Sequence, residues 1–277
     1  MKNFINNMMN NLYITNNIRY TEGANMLISA LMRSPAFSDK VSQHWYHDGK
    51  KTKVLKIVSF VIDQIYEFLK KLLFVAFFVY LPYRILGSLC PNIHSSQERT
   101  SMYMFLIMST FCGSLVNGTI AQMTDRDYLM LRIMRLDPDI YYRSRIFNKM
   151  IMEFVYTIFA LRIFGLGFRY AIPVSFITIA LRPVGELVNL YVHDKMNWLY
   201  QKKGTVHGLL MVLAFIIAYI VPYINRNVST GWNFMNSILA VILFGAIGAY
   251  TVYRLLNYTR FADIAQENIY LRRQEQA

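Results

Sequence analysis

The stretch V-H-G-L-L-M-V-L-A-F-I-I-A-Y-I-V-P-Y-I, Val206–Ile224, runs 19 residues without an aspartate, glutamate, lysine or arginine. A helix of about 20 predominantly apolar residues crosses the hydrocarbon core of a bilayer, because each residue rises 1.5 Å. The stretch therefore predicts a transmembrane helix. In lipid the backbone must satisfy its own hydrogen bonds, so a helical crossing calls for helical company. The expected fold class is all-α, a polytopic integral membrane protein.

Five further stretches read the same way. They are Leu69–Leu89, Met102–Met123, Lys149–Gly165, Phe168–Val192 and Trp232–Leu255, giving about six spans. The third of the six is short and the fourth is interrupted, so a count of four or five stays open. Composition agrees with the membrane class. Of the 277 residues 55% are hydrophobic and only 16% charged, against roughly a quarter charged in soluble domains. Mean hydropathy is +0.28. The net charge of +13 would suggest nucleic acid in a soluble chain. In a membrane chain it points to inner loops and anionic lipid, with no nucleic acid partner.

Lysines and arginines set the orientation. Ten fall in residues 1–71, six in 123–149, three in 193–207 and four from Arg254 onward. The outer segments hold only Arg84, Arg99, Arg162, Arg169 and Arg226. Both termini are expected on the cytoplasmic side. The asparagine-rich start, M-K-N-F-I-N-N-M-M-N-N, lacks a signal-peptide core. The division expected is a cytoplasmic N-terminal segment at 1–52, a membrane domain at 53–255 and a cytoplasmic tail at 256–277. Within 1–50 only A-N-M-L-I-S-A-L-M reads as a short helix. From Lys53 to Lys71, Ile57, Val61, Ile65, Phe68 and Leu72 recur at helical spacing. That pattern predicts an N-terminal interfacial helix before the first span. The alternative is one long helix from Lys53 to Leu81 whose first half is simply cytoplasmic.

At the centre lies T-D-R-D-Y-L-M-L-R-I-M-R-L-D-P-D-I-Y-Y-R-S-R, Thr124–Arg145, with five arginines and four aspartates. Leu129, Met130, Ile133 and Leu136 form one helical stripe, with Arg126, Asp127, Arg132 and Arg135 largely on other faces. Asp137 is a good N-cap and Pro138 suits the first helical position. The segment reads as a short amphipathic helix, a capped break, and a new helix entering the membrane. A solvated loop carrying topology signals is the plainer reading. Alternating aspartates and a helix–break–helix layout favour a docking protrusion.

F-C-G-S-L-V-N-G-T-I, Phe111–Ile120, followed by the segment above, resembles the second span and cytoplasmic loop of ABC-2 type exporter permeases, in particular those for bacterial peptide, bacteriocin or drug export. The resemblance covers roughly 55–255, and 110–150 at motif level. It implies a membrane permease subunit, not an enzyme itself, in a bacterial plasma membrane. It implies that 124–145 is a coupling helix on a separate ATP-binding cassette subunit, with Arg126, Asp127, Arg132, Arg135 and Asp137 at the contact. Some relatives carry two such halves in one chain. This chain would be one half, paired with a second permease half or as a homodimer. ATP would be held by the partner subunit, with no cofactor in this chain.

Arg182 and Glu186 lie four apart in the fourth span, beside Pro183 and Gly185. They read either as a polar pair inside the membrane, lining a path or hinge, or as an exposed pair beyond a span ending near Leu181. No phosphate-binding G-x-x-x-x-G-K-[ST] occurs, so ATP hydrolysis is expected on another chain. His44 and His47 lack a clustered third ligand, and no metal site is expected. His193, Asp194 and His207 read as solvated. Cys112 sits in an apolar run, so no disulfide with Cys90 is expected. Of three N-x-[ST] strings, at Asn117, Asn227 and Asn257, only Asn227 would face outward. A second reading, from another class, is a structural integral-membrane subunit of a respiratory or ATP-synthase type complex.

Overall fold

A computed structural model describes residues 2–35, 41, 43–46, 48–89, 97–116, 118–120, 124–224 and 238–276. Cys90, Asn117, Arg226, Asn227, Trp232 and His47 lie outside them. The described residues are helical, without a strand among them. The chain forms two compact units, Met1–Lys70 and Lys71–Ala277.

In the first unit, α1 runs Lys2–Arg33, and a short 3-10 turn, Gln43–Tyr46, precedes α2, Gly49–Val75. The N-terminal segment is thus one 32-residue helix, where the sequence offered only a short one. Its apolar periodicity is weak, but no proline interrupts it and Gly23 is its single glycine. Nothing local stops the helix. Past Val75 the chain stays helical through a π-helical stretch, Ala76–Tyr80, into α3, Leu81–Leu89. The helix is thus continuous from Gly49 to Leu89, longer at both ends than Lys53–Leu81, and the expected interfacial segment is its first part.

The second unit contains α4, Gln97–Met108, widening into a π-helical stretch, Ser109–Val116. Then come α5, Asp125–Tyr128, continued by the π turn Leu129–Ile133, and α6, Pro138–Ile163. The remaining helices are α7 (Phe168–Lys195), α8 (Asn197–Gln201), α9 (Lys203–Ile224), α10 (Ile238–Leu256) and α11 (Phe261–Gln276). Gly165, at φ +91°, makes the tight turn from α6 to α7. The core gathers Val75, Val79, Met102, Phe105, Leu161, Val174 and Ile177. α7 is the central helix, buried on several sides although it carries Pro173 and Pro183. At Gly248 of α10, an added Cβ would stand 3.0 Å from the Ala180 Cα, so the two helices approach as closely as small residues allow.

Among the described residues, three helices are long and apolar enough to cross a membrane: Phe168–Lys195, Lys203–Ile220 and Ile238–Leu256; Thr100–Val116 is a shorter apolar helix. The outward faces of the latter two spans carry Leu209, Ile216, Ile238 and Ile242 exposed, as lipid-facing helices do. The expected count of six is therefore met in part. α6 is 26 residues long, but Arg143, Arg145, Lys149, Glu153 and Arg162 break its apolar run. Lys70, Lys71 and Arg84 do the same around the first expected span.

Candidate functional site

The central segment is built from its caps. Thr124 and Asp127 form a reciprocal capping box. The Asp127 N–H donates to Thr124 Oγ1 at 3.3 Å, while Asp127 Oδ2 accepts from the Thr124 N–H at 2.6 Å and hydroxyl at 2.8 Å. The helix then widens: Met134 N–H reaches Leu129 O at 2.9 Å, five residues back, and Leu136 N–H reaches Met130 O at 3.1 Å. Arg135 sits between them at φ +52°, in the left-handed region. This ends the helix as a glycine-type C-cap would. Asp137 then accepts from the Asp139 N–H at 3.0 Å with Pro138 following, so the capped break falls where the sequence placed it.

Met130 and Leu131 turn inward, whereas Arg132, Ile133, Met134 and Arg135 form an exposed tip, with Ile133 64% exposed. Ile133, expected on one stripe with Leu129, Met130 and Leu136, is displaced from it, whereas Leu129 and Leu136 are both half-buried. A π turn advances less per residue around the axis than a 3.6-residue turn, so the stripe drifts off the inner face. The Arg126 side chain lies outside the described residues.

Asp127 departs most from its expected place at a partner contact. It is 1% exposed. It ion-pairs with Arg145 and accepts from the Tyr141 hydroxyl at 2.6 Å. Burial alone would push its carboxyl up. The Arg145 guanidinium, with the Arg145, Tyr141 and Thr124 hydrogen bonds, overcomes that and holds it below the ordinary carboxylate range. Burial likewise works against the Arg145 charge, and the Asp127 carboxylate more than restores it. Tyr141 is raised by burial and by Asp127, and burial pushes Tyr142 up to about 12. Asp127 therefore anchors the segment from inside and presents nothing to a partner's surface.

The base of the segment is tied to α11 and to the loop before it. Tyr142 stacks on Phe261 with ring centres 5.7 Å apart, and Arg143 donates to Tyr258 O at 2.6 Å. Asn268 donates to Ile120 O at 2.9 Å and accepts from Tyr200 at 3.0 Å.

Arg182 and Glu186 are buried at 2% and 0% exposure, so the exposed-pair alternative is excluded. Each meets a partner on another part of the fold. Arg182 ion-pairs with Glu153 of α6, which also accepts from Lys71 at 3.1 Å. Glu186 accepts from the backbone N–H groups of Thr119 at 2.5 Å and Ile120 at 3.1 Å. Gly185 beside it lies so close to the Ser114 carbonyl that a Cβ has no room. These contacts fasten α7 to α6 and to the turn that leads into the central segment.

His193 also departs from expectation. It is buried, with Nδ1 3.1 Å from Asp194 and Nε2 3.0 Å from Glu267, and its ring meets Tyr200 edge-on. The T-x-x-D spacing of Thr124 and Asp127 is the local signal that could have revealed the box. The Glu267 partner of His193, 74 residues away, left no local signal. Among the described residues no group of three or more His, Cys, Asp and Glu side chains is placed to hold a metal. No protein-family description, curated protein or solved structure matches the chain.

Proposed function

We propose that this chain is one membrane-spanning half of an exporter driven by ATP hydrolysis on a separate subunit, and that residues 124–145 dock on that subunit. In this reading six spans cross a bacterial plasma membrane with both termini inside, and an interfacial helix precedes the first. A second permease half or a second copy completes the path. ATP binding draws the two partner subunits together, and α5 passes that motion to α6, which alternates access to the path. Arg126, Arg132, Arg135 and Asp137 meet the partner, while Asp127 positions them.

The observation that carries this reading is the construction of the tip. Four consecutive exposed residues, two of them cationic and two apolar, stand on a buried and doubly capped anchor. A topology loop needs only its charges. A docking element needs its charges held in fixed positions, because ordering them at the moment of binding costs affinity. Arg182 and Glu186 fit the same scheme as fasteners that let α6, α7 and the 118–120 turn move together.

The test is purification of the chain in gentle detergent, with mass spectrometry of what accompanies it. Copurification of a soluble ATPase with a phosphate loop, lost when Arg132→Glu and Arg135→Glu are combined, supports the reading. Copurification of integral membrane proteins alone sinks it and favours a structural subunit. Arg182→Ala or Glu186→Ala should cost transport and assembly together. Intact transport in both would remove the fastening role.

A further inference from the structure

α2 is divided lengthwise into two faces. At the 100° step of a helix, Val54, Ile57, Val58, Val61, Ile65 and Leu69 gather on one side, and all six are exposed. Thr52, Lys56, Ser59 and Asp63 gather on the other. α1 meets that polar side over Asn17–Gly23. Arg19 donates to Asp63 at 2.5 Å, and Lys56 Nζ donates to Asn17 Oδ1 at 3.0 Å. Gly23 of α1 lies so close to Ser59 that the serine fills the place of its missing Cβ. Tyr20 meets Phe60 edge-on at 5.1 Å.

Two helices paired in water bury their apolar faces and leave polar faces outward. This pair departs from that pattern: the Arg19–Asp63 and Lys56–Asn17 contacts join the helices, with Ala24 and Ile28 of α1 buried, while a continuous apolar strip about 24 Å long faces out. Such a strip needs an apolar medium. The charges beside it say which one. Lys50, Lys51 and Lys53 are exposed at the start of α2. Lys51 lies 4.8 Å over the Trp45 ring, and Tyr46 is exposed beside it. Aromatic rings with lysines at the end of an apolar strip are the anchors of a helix lying at a lipid headgroup layer. Asp48 pairs with Lys51 at 3.5 Å, Glu67 with Lys70 at 3.1 Å and Asp63 with Arg19, so Lys50 and Lys53 add to the positive charge at this end of the strip.

We propose that the first unit is an anionic-lipid-binding hairpin. The apolar strip of α2 lies in the acyl boundary of a leaflet, Lys50, Lys51 and Lys53 hold phosphate headgroups, and α1 covers the water side as a polar lid. This rests on the membrane reading above and goes beyond it in naming the face, the lid and the lipid class. It does not depend on the exporter assignment.

The test uses the full chain with Cys90 and Cys112 replaced by serine. Single cysteines at Ile57, Val61 or Ile65, and at Asn25 on the exposed side of α1, carry a nitroxide spin label. Collision with oxygen and with a water-soluble nickel chelate is read in phosphatidylcholine discs with and without phosphatidylglycerol. The expected result is loss of nickel access at the three α2 positions and not at Asn25. The loss should be greater with phosphatidylglycerol and reduced when Lys50→Gln, Lys51→Gln and Lys53→Gln are combined. Full nickel access at Ile57, Val61 and Ile65 in both discs overturns the proposal. So does protection that persists in detergent without phospholipid and ignores the lysine variants, because the strip is then covered by protein, a second copy included. Protection that is equal in the two kinds of disc, and unchanged by the glutamine variants, removes the anionic lipid specificity. A chain that alkaline carbonate extracts from membranes fails the membrane reading itself, and the hairpin with it. Loss of the ATPase partner alone leaves the hairpin untouched.

Discussion

Asp127 joins two links of the account, because one carboxylate closes the capping box and neutralises Arg145. Replacing it by alanine leaves a largely buried arginine unpaired and a tyrosine hydroxyl without its acceptor. Hydrogen bonds to a charged group contribute about 1.5–3 kcal/mol. Asp127→Ala should therefore raise amide exchange across 124–136 by one to two orders of magnitude, about 1.4 kcal/mol per tenfold. Unchanged exchange would show that the anchor carries no energy. The sign with pH follows from its depressed carboxyl. The contribution is complete above the ordinary value of 3.8 and is lost as pH falls through the lower folded value. Protection of 124–136 should stay flat from neutral pH down to the ordinary carboxylate range and fail only below it. A loss near pH 6 would point to a different group. Arg135 offers a second test. Its left-handed backbone costs about 1 kcal/mol in a residue with a side chain. Arg135→Gly and Arg135→Ala remove the same charge, but only glycine relieves the strain. If docking depends on the charge, both should weaken partner binding alike, while thermal denaturation should rank glycine the more stable. Binding lost only in the alanine variant would show that the turn matters and the charge does not.

At the scale of elements, what was legible in the sequence was whatever a few neighbouring residues specify. Asp137 and Pro138 mark the start of α6 because an N-cap works on backbone groups two or three residues away. Asp137→Ala should cost about 1 kcal/mol and increase exchange in the first turn of α6, with Asp137→Ser restoring it. No change in the alanine variant would mean that the cap is redundant. The long α1 was hidden because its helix has little apolar periodicity to read. The π turns at Ser109–Val116 and Leu129–Ile133 were hidden for another reason. Each shifts the register of the faces, so a stripe counted at 3.6 residues drifts from the buried side. The roles of Arg182, Glu186 and His193 depend on Glu153, on the 118–120 turn and on Glu267, none of them close in sequence. Residue type gave their cost inside a membrane but not their partners. Gly185 tests the packing that results. Gly185→Ala should push α7 from the Ser114 carbonyl at about 1–3 kcal/mol, lowering the melting temperature in detergent. A variant that melts with the wild type would show the contact to be loose.

For the whole molecule, the proposed six-span topology, with its basic excess on the inner side, can be checked directly. With both termini inside, a single cysteine at Ile133 should react with an impermeant maleimide only after the cells are opened, and one at Arg169 should react in intact cells. The reverse pattern would invert the topology and remove residues 124–145 from the side where ATP is held. The central claim is that the exposed tip, Arg132–Arg135, is a docking surface for an ATP-hydrolysing subunit. The most direct measurement places a photo-reactive phenylalanine analogue at Ile133, irradiates membranes of the host cell, and identifies the adduct by mass spectrometry. The expected result is one adduct with a soluble protein carrying a phosphate loop, lost when Arg132→Glu and Arg135→Glu are present. Adducts to integral membrane subunits or to lipid alone would contradict it.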